Sequence, residues 1–173
     1  MYRILLLNIK IFILLTLTLL TFNTANAQQS VARQWNDELL HAIRNDFARP
    51  TVHARNLFHT SIALYDSWAI YTPQSETFFL GKTVGGYSCS LVPIDLPGNV
   101  QESQEKAMSY AAYRLLRHRF QNSPGANTSL AEFDALMDEL GYDKDFTSVD
   151  YLSGDPAAMG NYLAGCLINF GFQ

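Results

Sequence analysis

Residues 48–71, ARPTVHARNLFHTSIALYDSWAIY, decide the fold of this chain. After Pro50, apolar side chains occupy nearly every side of a helix of about five turns, which predicts a helix central to the core. The same helix also carries Arg55, Asn56, His59 and Asp66. Because a buried polar group is costly unless it is hydrogen-bonded, each should have a specific partner. We predict that these partners serve the fold, with contact to a cofactor or a catalytic role as the alternative.

The first 27 residues are typical of a signal peptide. Arg3 gives a positive start, residues 11–22 form a short apolar run, and Ala25-Asn26-Ala27 matches a signal-peptidase site. An uncleaved membrane anchor is the alternative, which the shortness of the apolar run disfavours. We therefore expect a secreted or periplasmic protein with one helical domain, residues 28–173, and no stable membrane anchor after cleavage.

The charge balance argues against nucleic acid as a partner. Without Arg3 and Lys10, the formal charge of −4 becomes −6, whereas nucleic acids and anionic membrane surfaces bind clusters of lysine and arginine. The densest basic run contains Arg114, Arg117, His118 and Arg119. We interpret it as a solvated face near a helix C-terminus, with an anion site as the alternative.

Two cysteines, Cys89 and Cys166, leave their pairing open. An exported protein with an even number of cysteines often pairs them. However, Cys89 lies in an apparent loop and Cys166 in an apolar helix stripe, where a free cysteine is commonly a small buried apolar residue. We favour unpaired cysteines over a disulfide.

Apolar residues recur with a helical period almost throughout residues 28–173. This predicts an all-α bundle of about five helices with one long irregular loop, an incomplete part of a larger bundle. The expected helices run from Val31 to before Pro50, from Pro50 to near Thr72, from Glu102 to Gln121, from Ser129 to Leu140, and from Pro156 to Phe170. Ser129 and Glu132 match a capping box, and residues 77–98 predict a surface loop with at most a short hairpin.

Signatures of chemistry are missing from the sequence. The four histidines lack a metal-binding spacing, and His59 lies seven residues from Asp66, about 10.5 Å along a helix, which is too far to share one ion. No GxSxG nucleophile motif or phosphate-binding glycine loop occurs. Trp35, Phe58, Tyr65 and Trp68 are spaced as a helical aromatic stripe, which we interpret as core packing. We assign no catalytic, cofactor-binding or metal-binding residue.

Several segments resemble one family. Gln34-Trp35-Asn36, Ala48-Arg49-Pro50-Thr51 and residues 59–69 are similar to the N-terminal helical region of exported bacterial vanadium-dependent haloperoxidase-like proteins, in the type 2 phosphatidic acid phosphatase superfamily. Residues 155–164, DPAAMGNYLA, and residues 168–171, INFG, resemble the helix that follows there. The resemblance implies a helical-bundle enzyme whose anion pocket holds vanadate or a phosphate ester.

The family's pocket motifs are nevertheless absent. They comprise a Lys with a downstream Arg-Pro, a Pro-Ser-Gly-His segment, and a Ser-Arg followed by His. Here Arg49-Pro50 is the only Arg-Pro, Ala42 stands seven residues before Arg49 instead of Lys, no His follows Ser-Gly, and no Ser-Arg occurs. The resemblance therefore implies vanadate only for a complete family member.

We accordingly expect a truncated, non-catalytic N-terminal portion, inactive alone, whose partner is a second copy of itself or a missing catalytic half. The alternative is a stand-alone exported helical binding or interaction module of unknown ligand. A degenerate subunit whose catalytic half is encoded next door is a further alternative.

Overall fold

Helices form wherever the apolar residues repeat with a helical period, so the predicted all-α bundle is confirmed. The computed structural model describes residue 2, residues 29–95 and residues 98–172. Within these ranges lie five α-helices: α1 (Val31–Arg44), α2 (Pro50–Ala69), α3 (Val100–Phe120), α4 (Ala126–Glu139) and α5 (Pro156–Phe170). Two short strands, β1 (Thr83–Val84) and β2 (Tyr87–Ser88), pair in the long loop, and Tyr151–Ser153 form a 3-10 turn. The predicted signal peptide, residues 1–27, lies outside the described residues, apart from residue 2.

The central helix is α3, whereas the sequence predicted that α2 would be central. Helix α3 contacts all four other helices, and its buried residues lie on nearly every side. It approaches α5 closely at Gly160, where an added Cβ would collide with the backbone of Ala107 and Ala111. Glycine is therefore required at this crossing, because the backbones of α3 and α5 lie too close to admit a side chain.

Two apolar clusters flank α3. One lies mainly between α1, α3 and α4 around Trp35, Leu116 and Phe133, with Leu64 of α2 and Ala157 of α5 at its edge. The other joins α2, α3, α5 and the long loop around Leu115 and Leu163. Helix α2 contributes to both clusters on one side only. Its opposite side is exposed, which is why the prediction of a helix buried all round is wrong.

Local end signals explain most of the helix boundaries. Ser30 caps α1 by accepting a hydrogen bond from the Arg33 amide, and Asp155 caps α5 through the Ala157 amide with Pro156 at the first position. The predicted capping box is wrong, because α4 begins at Ala126 and the Ser129 hydroxyl is buried inside the helix, where no group in the described part of the chain bonds to it.

The segment between α2 and α3 is less of a surface loop than the sequence suggested. Its hairpin turns at Gly85 and Gly86, whose φ angles of 56° and 85° favour glycine. Phe79, Leu80 and Cys89 are each almost fully buried. The loop therefore folds back onto the helices and adds to the core.

A disulfide between Cys89 and Cys166 ties this loop to α5, with their Cα atoms 5.8 Å apart. The expectation of unpaired cysteines is therefore wrong. It failed because the sequence placed Cys89 in a solvent-facing loop, whereas the loop packs its cysteine directly on the apolar stripe of α5 that contains Cys166.

None of the helices in the described part of the chain is both long and apolar enough to cross a membrane.

Candidate functional site

Asp66 of α2 holds the start of the long loop. Its two carboxylate oxygens accept hydrogen bonds from the backbone amides of Phe78, Phe79 and Leu80 at 2.6, 2.8 and 2.7 Å. The side chain is completely buried. Three charge-assisted bonds satisfy it, so Asp66 has the specific partners that the sequence predicted and they are structural.

His59 and Arg119 form a second buried contact, between α2 and α3. The guanidinium Nη2 of Arg119 lies 3.1 Å from Nδ1 of His59 and also donates to the carbonyl of Leu167 on α5. A guanidinium can only donate, so Nδ1 accepts and the imidazole is neutral with its proton on Nε2. The ring also lies against Phe58 and Phe170, with centroids 5.9 and 5.5 Å away.

The electrostatics keep His59 neutral. Burial, followed by the positive charges of Arg119 and Arg55, lowers the pKa of His59 to about 4. Burial and Arg55 also lower the pKa of Arg119. An imidazole with such a pKa is a poor base near neutral pH, since efficient general bases titrate near the working pH.

This arrangement makes acid weaken the fold. In the unfolded chain His59 titrates near pH 6.5, so the unfolded state takes up a proton first, and stability falls as pH drops from about 6.5 to about 4. The loss in the free energy of unfolding approaches about 3 kcal/mol once His59 is fully protonated.

Urea unfolding at pH 7 and pH 4.5 should show that the free energy of unfolding falls less with pH in His59→Gln than in the parent chain. The matched variant His53→Gln should keep the parent's loss, and an equal loss in all three proteins would contradict the assignment.

The other polar residues of α2 are less completely satisfied. Asn56 is buried, but among the described residues its Oδ1 has no hydrogen-bond partner, and neither does Nε of Arg119. Arg55 is exposed. The prediction that all four would have specific partners is therefore confirmed for His59 and Asp66 and wrong for the Asn56 carbonyl.

The basic run near the end of α3 was predicted to be a solvated face, and this is wrong for its arginines. All four residues, Arg114, Arg117, His118 and Arg119, are only partly exposed. Arg114 donates to Asn161 of α5 and to two loop carbonyls, and Arg117 pairs with Asp134 of α4. These side chains connect helices, as the Arg119 contacts described above also do.

The predicted aromatic stripe separates into one buried and three exposed side chains. Trp35 is fully buried and its Nε1 donates to Ser109 Oγ at 3.1 Å. Phe58, Tyr65 and Trp68 are 48%, 44% and 37% exposed. The core-packing interpretation is therefore confirmed for Trp35 and wrong for the other three.

The exposed aromatic residues share one side of α2. We call the surface of Phe58, Ser61, Tyr65, Trp68 and the adjoining Phe78 the α2 aromatic face. Tyr65 and Trp68 lie with ring centroids 5.9 Å apart, and Phe78 meets Phe58 edge-on at 6.0 Å. Grooves of about 440 and 330 Å³ adjoin this face, the larger between α1, α2 and α3 and the smaller beside Phe78. No local pattern could reveal this, because exposure depends on what the rest of the fold leaves uncovered.

No protein-family model, curated protein or solved structure matches this chain. The haloperoxidase-like resemblance therefore rests on the sequence motifs alone.

Proposed function

We propose that this chain is the non-catalytic N-terminal helical portion of an exported vanadium haloperoxidase-like or acid-phosphatase-like protein, and that its α2 aromatic face packs against the catalytic half. The observation that carries the proposal is the exposure of Phe58, Tyr65 and Trp68 on a single helix side. Scattered exposed apolar residues are ordinary, but a contiguous aromatic patch marks an interaction surface.

The chemistry of the α2 aromatic face suits a protein interface. Tyrosine and tryptophan are enriched at interfaces because each joins a large apolar area to a polar group. The Tyr65 hydroxyl is already held by the carbonyl of Glu76 at 3.0 Å, and the Trp68 carbonyl accepts from Gln104. The Tyr65 ring is therefore held in place before a partner arrives, which reduces the entropy lost on docking.

The roles of the polar side chains support a non-catalytic portion. Asp66 is used by three backbone amides, and His59 is held neutral against Arg119. Arg49, of the single Arg-Pro pair, binds both carboxylate oxygens of Asp46. Residues with these structural partners are not available to build an oxyanion pocket.

The disulfide supports export. Disulfides persist in oxidising compartments such as the periplasm and the extracellular space. Cys89 and Cys166 are both buried, so their bond is protected from reductants.

An activity assay tests the absence of catalysis. The purified chain mixed with vanadate, hydrogen peroxide and bromide should not brominate an organic acceptor above the protein-free rate, and it should not hydrolyse a phosphate monoester. A complete haloperoxidase-like enzyme provides the positive control. Sustained turnover that scales with the amount of chain would overturn the proposal.

A charge-insertion variant tests the α2 aromatic face. We expect the parent chain to bind an apolar dye that fluoresces on apolar surfaces. Tyr65→Lys/Trp68→Lys should reduce the dye fluorescence several-fold, because charged side chains replace two of the exposed aromatic rings. The control Asn122→Lys/Thr128→Lys adds the same charge at exposed positions and should leave the fluorescence unchanged. Equal dye binding by all three proteins, with unchanged helical circular dichroism, would contradict the assignment.

The larger groove favours a second candidate, a stand-alone exported module that binds an apolar ligand. Its volume of about 440 Å³ lies within the range of small-molecule sites, and its lining combines Trp68 and Met108 with Asn36 and Gln104. A compact monomer that unfolds cooperatively and binds no second polypeptide would favour this candidate.

A further inference from the structure

Three side chains from two helices converge where α1 meets α4. Glu38 and His41 lie three residues apart on one side of α1, and Glu132 projects from α4. One carboxylate oxygen from each glutamate and one imidazole nitrogen lie within 4.8 Å of one another. In the tetrahedral geometry typical of zinc, ligand atoms bound at about 2.0–2.2 Å lie about 3.4 Å apart. The three ligand atoms, within 4.8 Å of one another here, would therefore have to approach by roughly 1 Å to share one ion.

Each of the two glutamates has one carboxylate oxygen without a partner. Oε2 of Glu38 and Oε2 of Glu132 are both buried and accept no hydrogen bond from the residues that the structure describes. Across the described ranges, neither glutamate forms an ion pair with a lysine, arginine or histidine. Two buried acceptors of like charge with no donor between them are costly unless a proton or a cation joins them.

We propose that Glu38, His41 and Glu132 bind one divalent transition-metal ion of the zinc type, with water completing its coordination. An imidazole with two carboxylates is a donor set that such ions accept. His41 is exposed, which leaves a path for the ion to enter. Since two ligands lie on α1 and one on α4, the ion joins these helices and stabilises the folded chain.

The sequence alone concealed this site. Glu38 and His41 are close in sequence, but Glu132 lies 91 residues beyond His41 and reaches them only through the packing of α1 on α4. Two neighbouring ligands are too common to indicate a metal, which explains why no metal residue was assigned.

Zinc binding by the untagged, chelator-treated chain tests the proposal. Titration calorimetry with Zn²⁺ at pH 7 should give one saturable site per chain, and a thermal melt should show an increase in Tm on adding Zn²⁺. Glu132→Gln and His41→Gln should each weaken binding at least about tenfold, because each removes one of three ligands. Glu139→Gln, an exposed position on the same helix, should bind like the parent.

A second measurement separates loss of the site from loss of the fold. Without metal, Glu132→Gln should melt no lower than the parent, since it removes a like charge beside Glu38. Co²⁺ used as a probe should give visible absorption bands in the parent that disappear in His41→Gln. Failure of the parent to bind Zn²⁺ at one site, or identical binding by all variants, would overturn the proposal.

Discussion

Asp66→Asn is expected to destabilise the chain by about 3–5 kcal/mol, the largest effect of any single substitution considered. Asparagine keeps the size of the side chain but loses the charge and directs an amide donor at amides that also donate. The bonds to Phe78, Phe79 and Leu80 cannot all survive. Urea unfolding followed by circular dichroism measures the loss, and hydrogen exchange should show the three amides losing protection.

Asp37→Asn is the matched control for this substitution. Asp37 is exposed and forms an i,i+4 pair with Arg33, and such surface pairs contribute at most about 1 kcal/mol. If Asp66→Asn cost no more than this control, the buried carboxylate would not be what anchors the loop.

Removal of the disulfide is expected to have the second largest effect. Cys89 and Cys166 are 77 residues apart, and cross-linking a loop of that length destabilises the unfolded chain by about 4.5 kcal/mol in the chain-entropy model. Cys89→Ala/Cys166→Ala should therefore unfold at a clearly lower urea concentration than the oxidised parent.

Reductant provides the internal control for the disulfide. The reduced parent should approach the stability of the double variant, which itself should not respond to reductant. A parent whose midpoint is the same with and without reductant would contradict a stabilising bond.

The residues next to a helix end were sufficient to predict that end where no contact with a distant part of the chain decides it. Asp155-Pro156 and Gly171 correctly predicted both ends of α5, and the apolar period of α1 predicted its start. The predicted start of α4 was wrong, because the helix begins at Ala126 after Gly125, without a side-chain cap, and Ser129 lies inside it. At Gly125 the chain also passes so close to Asn45 that an added Cβ would collide with it, a contact that the capping motif could not reveal.

Roles that depend on distant partners could not be predicted from sequence. His59 meets Arg119 across 60 residues, and Glu132 reaches α1 only in the folded chain. Trp35 and Trp68 have the same apolar character, yet Trp35 is fully buried and Trp68 is 37% exposed. The difference arises because Trp35 lies on the side of α1 that faces α3, whereas Trp68 lies on the exposed side of α2. A site formed by residues from different helices can therefore be recognised only in the folded structure.

Sedimentation velocity over a concentration series from about 1 μM to about 1 mM tests the proposed interface most directly, since this range covers weak association. An uncovered α2 aromatic face predicts that the parent chain self-associates as its concentration rises, whereas Tyr65→Lys/Trp68→Lys remains a folded monomer. A parent chain that stays monomeric at every concentration, and sediments like the variant, would contradict the claim that this face is built to pack against another protein surface.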